Sequence, residues 1–150
     1  MWKNAWLYDS VLKITCLPFG GEGRFRRVFI DFATVSEGDH ILDACCGTGT
    51  LTSLLAEKVG RTGTVTGIDL SIELLEKATK KAKQATPLTF VRANCNDIPF
   101  PDVNFDKVFV SFGLHEITEV DRLSSLQEMY RVIKKMEAFL LLNTIWHSLF

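Results

Sequence analysis

The chain has 150 residues, of which 47% are hydrophobic and 23% charged, and its formal net charge is −1. That length predicts one domain with a sizeable core, and the composition is ordinary for a soluble globular protein. The near-zero charge gives no basic field for nucleic acid, and the four cysteines (Cys16, Cys45, Cys46, Cys95) lack the CxxC spacing of a zinc site, so no metal is expected.

From the N-terminus, Trp6, Leu7, Val11, Leu12 and Ile14 recur at helical spacing over Trp2–Cys16, and Pro18-Phe19-Gly20-Gly21 breaks the pattern. A second helix is expected over Arg24–Ala33, with Phe25, Val28, Phe29 and Phe32 on its apolar side. Its basic cluster, Arg24, Arg26 and Arg27, reads as a solvated face or, less simply, as a contact for an acidic group. These two helices are expected to cover a cleft in the strand-and-helix unit that begins at His40. Ser36–Asp39 is a turn. A strand over His40–Ala44 leads through Cys45-Cys46-Gly47-Thr48-Gly49 into a helix over Thr50–Val59. A second strand, Thr64–Ile68, ends at Asp69. Ser71 caps the next helix, with Glu73 in its first turn where the dipole favours a carboxylate. That helix should bury Ile72, Leu75 and Ala78-Thr79 and expose Lys77, Lys80, Lys81 and Lys83 to solvent. Strands at Leu88–Arg92 and Lys107–Ser111 flank a loop over Ala93–Asn104. A helix over Asp121–Ile133 and a strand over Phe139–Leu142 complete the order. Strands alternating with helices imply βαβ units and a parallel sheet.

The stretch HILDACCGTGT, from His40 to Thr50, carries most of the functional signal. Strand, glycine turn and helix form a nucleotide site at the carboxyl end of a first strand, where free N–H groups and the helix dipole meet a ligand. Thr52 occupies the third glycine position of the dinucleotide fingerprint, which disfavours NAD. Asp69, about 20 residues beyond the turn, is placed to accept ribose hydroxyls. The loop Asn94-Cys95-Asn96-Asp97 lies at the same sheet edge, where a polar side chain can meet adenine's amine.

Together, ILDACCGTGT, VTGIDLS, ANCNDIPFPDVNFDKVFVSFGLHEI and LQEMYRVIKK resemble the class I S-adenosylmethionine (SAM)-dependent methyltransferases. Within these the chain is most similar to the ubiquinone/menaquinone-biosynthesis C-methyltransferase group, from Tyr8 to Lys135. The resemblance implies an α/β, Rossmann-like, mostly parallel five-stranded sheet flanked by helices, in a single SAM-binding domain over 1–150. Its leading helices would span 1–35, its core 36–143, and an apolar tail 144–150. It also implies SAM as cofactor. Asp43 and the Cys45, Cys46, Gly47, Thr48, Gly49 turn would face the methionine part, and Asp69 the ribose. Leu70, Asn94 and Cys95 would surround adenine. Ser111–Leu114 would lie near the sulfonium and the acceptor, and Tyr8 would help cover the methyl group. The family usually has aspartate at the position of Asn94, whose carbonyl oxygen still accepts a hydrogen bond.

The expected reaction is methyl transfer to a small-molecule acceptor, quinol-like, lipid or another metabolite. A carbon or oxygen acceptor must lose a proton, and His115 is the candidate base, with Glu116 behind it. The alternative is a SAM-binding but inactive or truncated module, with an NAD-linked enzyme third. The family has a K-P-G-G-like turn before its last parallel strand and a closing hairpin after it. This chain has Lys134-Lys135-Met136-Glu137-Ala138 and ends at Phe150. The hairpin is read as missing, the tail as a candidate frameshift product, and the open edge as a candidate homodimer contact. Reduced thiols and the lack of a signal peptide or transmembrane segment give a cytoplasmic expectation.

Overall fold

Apolar, β-branched runs alternate with amphipathic stretches along the chain, and the structure, a computed structural model, turns that alternation into a five-stranded sheet carrying helices on both faces. It describes residues 20–82, 87–111, 113–114, 117–134 and 139–142. The elements are α1 (Glu22–Phe32), β1 (His40–Ala44), α2 (Thr50–Val59), β2 (Thr64–Asp69), α3 (Ile72–Lys81), β3 (Leu88–Arg92), β4 (Lys107–Ser111), α4 (Glu119–Val132) and β5 (Phe139–Leu142). The order across the sheet is β3-β2-β1-β4-β5, and every neighbouring pair is parallel. All strands therefore deliver their carboxyl ends to one edge, where Ala44 lies beside Ile68 and Val110.

Period-two alternation sends successive residues of β1 to opposite faces. Leu42 and Ala44 join Ile68, Val108 and Val110 beneath Met129 and Val132 of α4. Ile41 joins Val65 and Phe109 beneath Ile30 of α1 and Leu51, Leu55 and Val59 of α2. Phe29 meets Phe109 edge to face at 5.7 Å. The α3 helix packs on β3 and β2, and Ser71 caps it by accepting from the Leu74 N–H and donating to Glu73.

Several expectations need correction. The buried stripe of α1 is Arg26, Ile30 and Ala33, with Phe29 partly covered, while Val28 and Phe32 are exposed. A second apolar stripe on this helix masked its true phase. On α3 only Leu75 and Ala78 are buried; Ile72 and Thr79 stay outside. The α4 helix starts two residues before Asp121, because Thr118 is its cap and accepts the Asp121 N–H. The Trp2–Cys16 helix with Tyr8, the residues His115 and Glu116, the 135–138 turn and the 143–150 tail lie outside the described residues.

Candidate active site at the carboxyl edge of the sheet

β1 is buried from Ile41 to Ala44, so Asp43 is carried into the interior at 1% exposure. Its Oδ2 accepts the Thr52 hydroxyl at 2.7 Å, whereas Oδ1 is buried with no hydrogen-bond partner. Burial pushes the Asp43 carboxyl up to about 6, against the pull of the Thr52 hydroxyl and the Arg26 guanidinium. A carboxylate held half-bonded in the interior is costly unless a cation or donor arrives. Thr52, read from the sequence as a missing glycine, is thus the residue that orients the acid.

The turn after β1 is shaped by three left-handed residues: Cys45, Gly47 and Gly49 have φ of 56°, 56° and 71°. The two glycines differ. A Cβ on Gly49 would lie 2.8 Å from both Ala78 and Phe90, so this glycine lets α3 and β3 close on the turn. A Cβ on Gly47 would meet nothing within 4 Å, so its backbone borders open space. The Gly47 N–H is held by Asp69 Oδ2 at 2.9 Å, and Asp69 Oδ1 accepts the Ser71 N–H at 2.9 Å. One carboxylate thereby ties the glycine turn to the start of α3 and keeps lone pairs for a further donor.

The buried Thr48 hydroxyl accepts Lys81 Nζ at 3.0 Å, although Lys81 is exposed as expected. Arg26 is a correction. Instead of facing solvent it is 5% exposed and donates from Nη1 to Ser111 Oγ at 2.8 Å, beside Asp43. Around the rim, Leu70 is 54% exposed, open for a flat ring to pack on. Asn94 is exposed, its Oδ1 accepting the Asn96 N–H at 3.3 Å, and Cys95 is buried. Arg131 anchors the rest of this loop through the carbonyls of Ile98 and Phe100 and the carboxylates of Asp102 and Glu128. Cys45 Sγ lies 3.2 Å from Cys95 Sγ, whereas Cys46 turns toward Gly67. The structure thus brings Asp43, Cys45, Gly47, Thr48, Asp69, Leu70, Asn94, Cys95 and Ser111 to one edge, with Cys46 and Gly49 serving the packing beneath. Among the described residues, no group of three or more His, Cys, Asp or Glu could hold a metal ion.

A parallel sheet whose glycine turn, second-strand acid and third-strand loop converge at the carboxyl edge is a Rossmann-like nucleotide-binding fold. The profile of the ubiE/COQ5 methyltransferase family matches residues 5–148, and the chain belongs to that family. It is 40% identical over 121 residues to the 2-phytyl-1,4-naphtoquinone methyltransferase of Nostoc, covering 79% of this chain and 52% of that protein. It is 36% identical over 129 residues to the demethylmenaquinone methyltransferase of Listeria welshimeri, covering 85% and 53%. The chain spans about half the length of the curated relatives it matches. Among solved structures, a SAM-dependent methyltransferase from Aquifex aeolicus superposes with a TM-score of 0.66 at 30% identity, covering 73% of this chain and 58% of that one.

Proposed function

We propose that this chain binds S-adenosylmethionine at the carboxyl edge of the sheet and serves methyl transfer to a quinone-like small molecule. The observation that carries the reading is the unpartnered Asp43 Oδ1, a buried acceptor beside a turn built for close approach. The ammonium of the methionine part would satisfy it, with charge-assisted hydrogen bonds of the strong kind. Asp69 would accept the ribose hydroxyls while holding Gly47 in place. Leu70 would pack on the adenine face, with Asn94 and Cys95 at its edge and Thr48 lining the turn. Ser111, held by Arg26, would border the reacting centre.

Bound there, SAM supplies a methyl group already activated by its sulfonium. The protein's work is then alignment and exclusion of water. Arg26 fixes Ser111 and offsets the charge of Asp43 from the side of α1. His115 and Tyr8 keep the roles the sequence suggests, as base and as cover. The Nostoc and Listeria relatives, named for naphthoquinone and menaquinone substrates, support a quinone-like acceptor. Free Cys45, Cys46 and Cys95 suit a reducing compartment such as the cytoplasm, and among the described residues no helix is long and apolar enough to cross a membrane.

Calorimetry with SAM and its demethylated product tests the reading. Both should bind the parent chain, and Asp69→Ala should lose at least about 100-fold in affinity, because it removes the ribose acceptor and releases the turn. If neither ligand binds the parent, the proposal fails. Binding without transfer to any quinol would leave a cofactor-binding module. Among the described residues β5 stands at the edge of the sheet, and a homodimer through that edge is also proposed; a strictly monomeric mass by light scattering at high concentration would refute it.

A further inference from the structure

We propose that Cys45 and Cys95 form an oxidisable dithiol that closes into a disulfide across the carboxyl edge of the sheet. The two residues are 50 positions apart in sequence, yet their sulfurs are 3.2 Å apart and both are free. A disulfide needs about 2.05 Å, so closure asks for a shift of roughly one ångström. Both backbones are already held for it. Cys45 sits at φ 56° with Gly113 behind it, where any Cβ would collide with the Cys45 side chain. Cys95 lies in the core at 5% exposure, in a loop pinned by the Ala93 N–H on the Asp69 carbonyl and the Asp97 N–H on the Asn94 carbonyl. The left-handed φ of Cys45 aims its sulfur across the edge, while the neighbouring Cys46 points down at Gly67.

The chemistry favours the same pair. The hydrogen bond from the Cys45 thiol holds Cys95 below the ordinary thiol range, while the same bond and burial push Cys45 above it. Burial and the nearby Asp43 and Asp69 push the Cys46 thiol far above the ordinary range. The pair is therefore a better source of thiolate, the reactive form, than Cys46. With hydrogen peroxide as oxidant, that thiolate attacks one oxygen, the O–O bond breaks, and a sulfenic acid and hydroxide form. The second sulfur then attacks the first, the S–O bond breaks, and its oxygen leaves as hydroxide. The two thiol protons convert both hydroxides to water, so two thiols lose two electrons and one peroxide becomes two waters.

The bond would fix the glycine turn to the loop after β3. Resting on the function proposed above, it would then close the adenine side and weaken SAM binding, reversibly. The test treats the native chain with hydrogen peroxide or oxidised glutathione, alkylates the remaining thiols, and maps tryptic peptides by mass. Cys45 and Cys46 share one tryptic peptide, so Cys46→Ser is analysed in parallel. A cross-link from that peptide to the Cys95 peptide is expected in the parent and in Cys46→Ser, and none in Cys45→Ser. Glutathione left on Cys45, oxidation to a sulfinic acid, or a bridge to Cys46 or Cys16 would overturn the dithiol. Calorimetry on the oxidised parent should show at least tenfold weaker SAM binding, restored by dithiothreitol. A cross-link that leaves affinity unchanged would overturn the regulatory half. Failure of the reduced parent to bind SAM would count against the proposed function alone, since the cross-link is read without the cofactor.

Discussion

The two edges of the sheet are built from similar residues and treat charge in opposite ways. At the amino edge Asp39 and Asp106 are both matched. Lys107 Nζ meets Asp39 Oδ2 at 2.9 Å with both side chains about 15% exposed, and the same oxygen accepts the Ser36 N–H. Asp106 accepts Lys134 at 2.8 Å and the His40 N–H at 2.9 Å. Burial pushes Asp106 up, but these donors outweigh it and leave its carboxyl below the usual range. At the carboxyl edge Asp43 is more deeply buried and yet half-bonded, with its carboxyl raised to about 6. Charges that finish their pairing inside the fold hold it together. A buried charge left short of a partner is evidence of a ligand.

The largest expected effect comes from completing the comparison at Asp43. Asp43→Asn keeps an acceptor for Thr52 and removes the buried charge. The acid's pKa lies above its unfolded value of 3.8, so the native state holds the proton more tightly. Asp43 therefore stabilises the fold least at neutral pH: its contribution is full below about pH 4 and lost as pH rises through about 6. A shift of that size corresponds to about 3 kcal/mol. Asp43→Asn should raise stability at pH 7 by up to about that much, remove the decline between pH 4 and 6, and weaken SAM binding at least about tenfold. In the parent, SAM affinity should fall below about pH 6 as Asp43 is neutralised. Urea unfolding and calorimetry across pH check both halves, and a loss of stability in Asp43→Asn would break the contrast.

Asp39→Asn is the mirror experiment. It leaves the partly buried Lys107 without its counter-charge and should cost about 1–3 kcal/mol. SAM affinity should not change, because Asp39 lies at the far end of β1. A binding loss comparable to that of Asp43→Asn would mean that the two edges are not separable.

These differences explain which parts of the molecule sequence could reveal. Strand and helix spans followed from the period of apolar residues, and β1, α2, β3, β4 and β5 fall where that period puts them. The convergence of Asp43, Gly47, Asp69 and Asn94 followed from one rule, that parallel strands end together. Long cationic side chains escaped this reasoning. Arg26 belongs to a helix with two apolar stripes, and only packing decides which one faces the sheet. Lys81 sits at the end of α3, where its reach to Thr48 depends on how closely Gly49 lets Ala78 approach. Thr52 was visible only as a departure from a glycine pattern. Its hydroxyl matters because Asp43, on the adjoining strand, needs a donor at 2.7 Å. The sulfur pair depends on a left-handed φ at Cys45, which no spacing rule indicates.

The smallest effect, that of Gly47→Ala on stability, tests against Gly49→Ala whether the carboxyl edge separates folding from binding within a single turn. Gly47→Ala puts a methyl group where nothing lies within 4 Å, at φ 56°. Its stability cost should be the left-handed backbone penalty alone, about 1 kcal/mol. Gly49→Ala meets Ala78 and Phe90 at 2.8 Å as well, so overpacking should bring its cost to about 2–4 kcal/mol. Binding should reverse the ranking. On the proposed placement the methyl on Gly47 would enter the cofactor's space, so at matched folded fraction Gly47→Ala should lose more affinity than Gly49→Ala. Chemical denaturation gives the first comparison and calorimetry the second. If Gly47→Ala proves the more destabilising and binds SAM normally, the open side of the turn is not where the ligand sits.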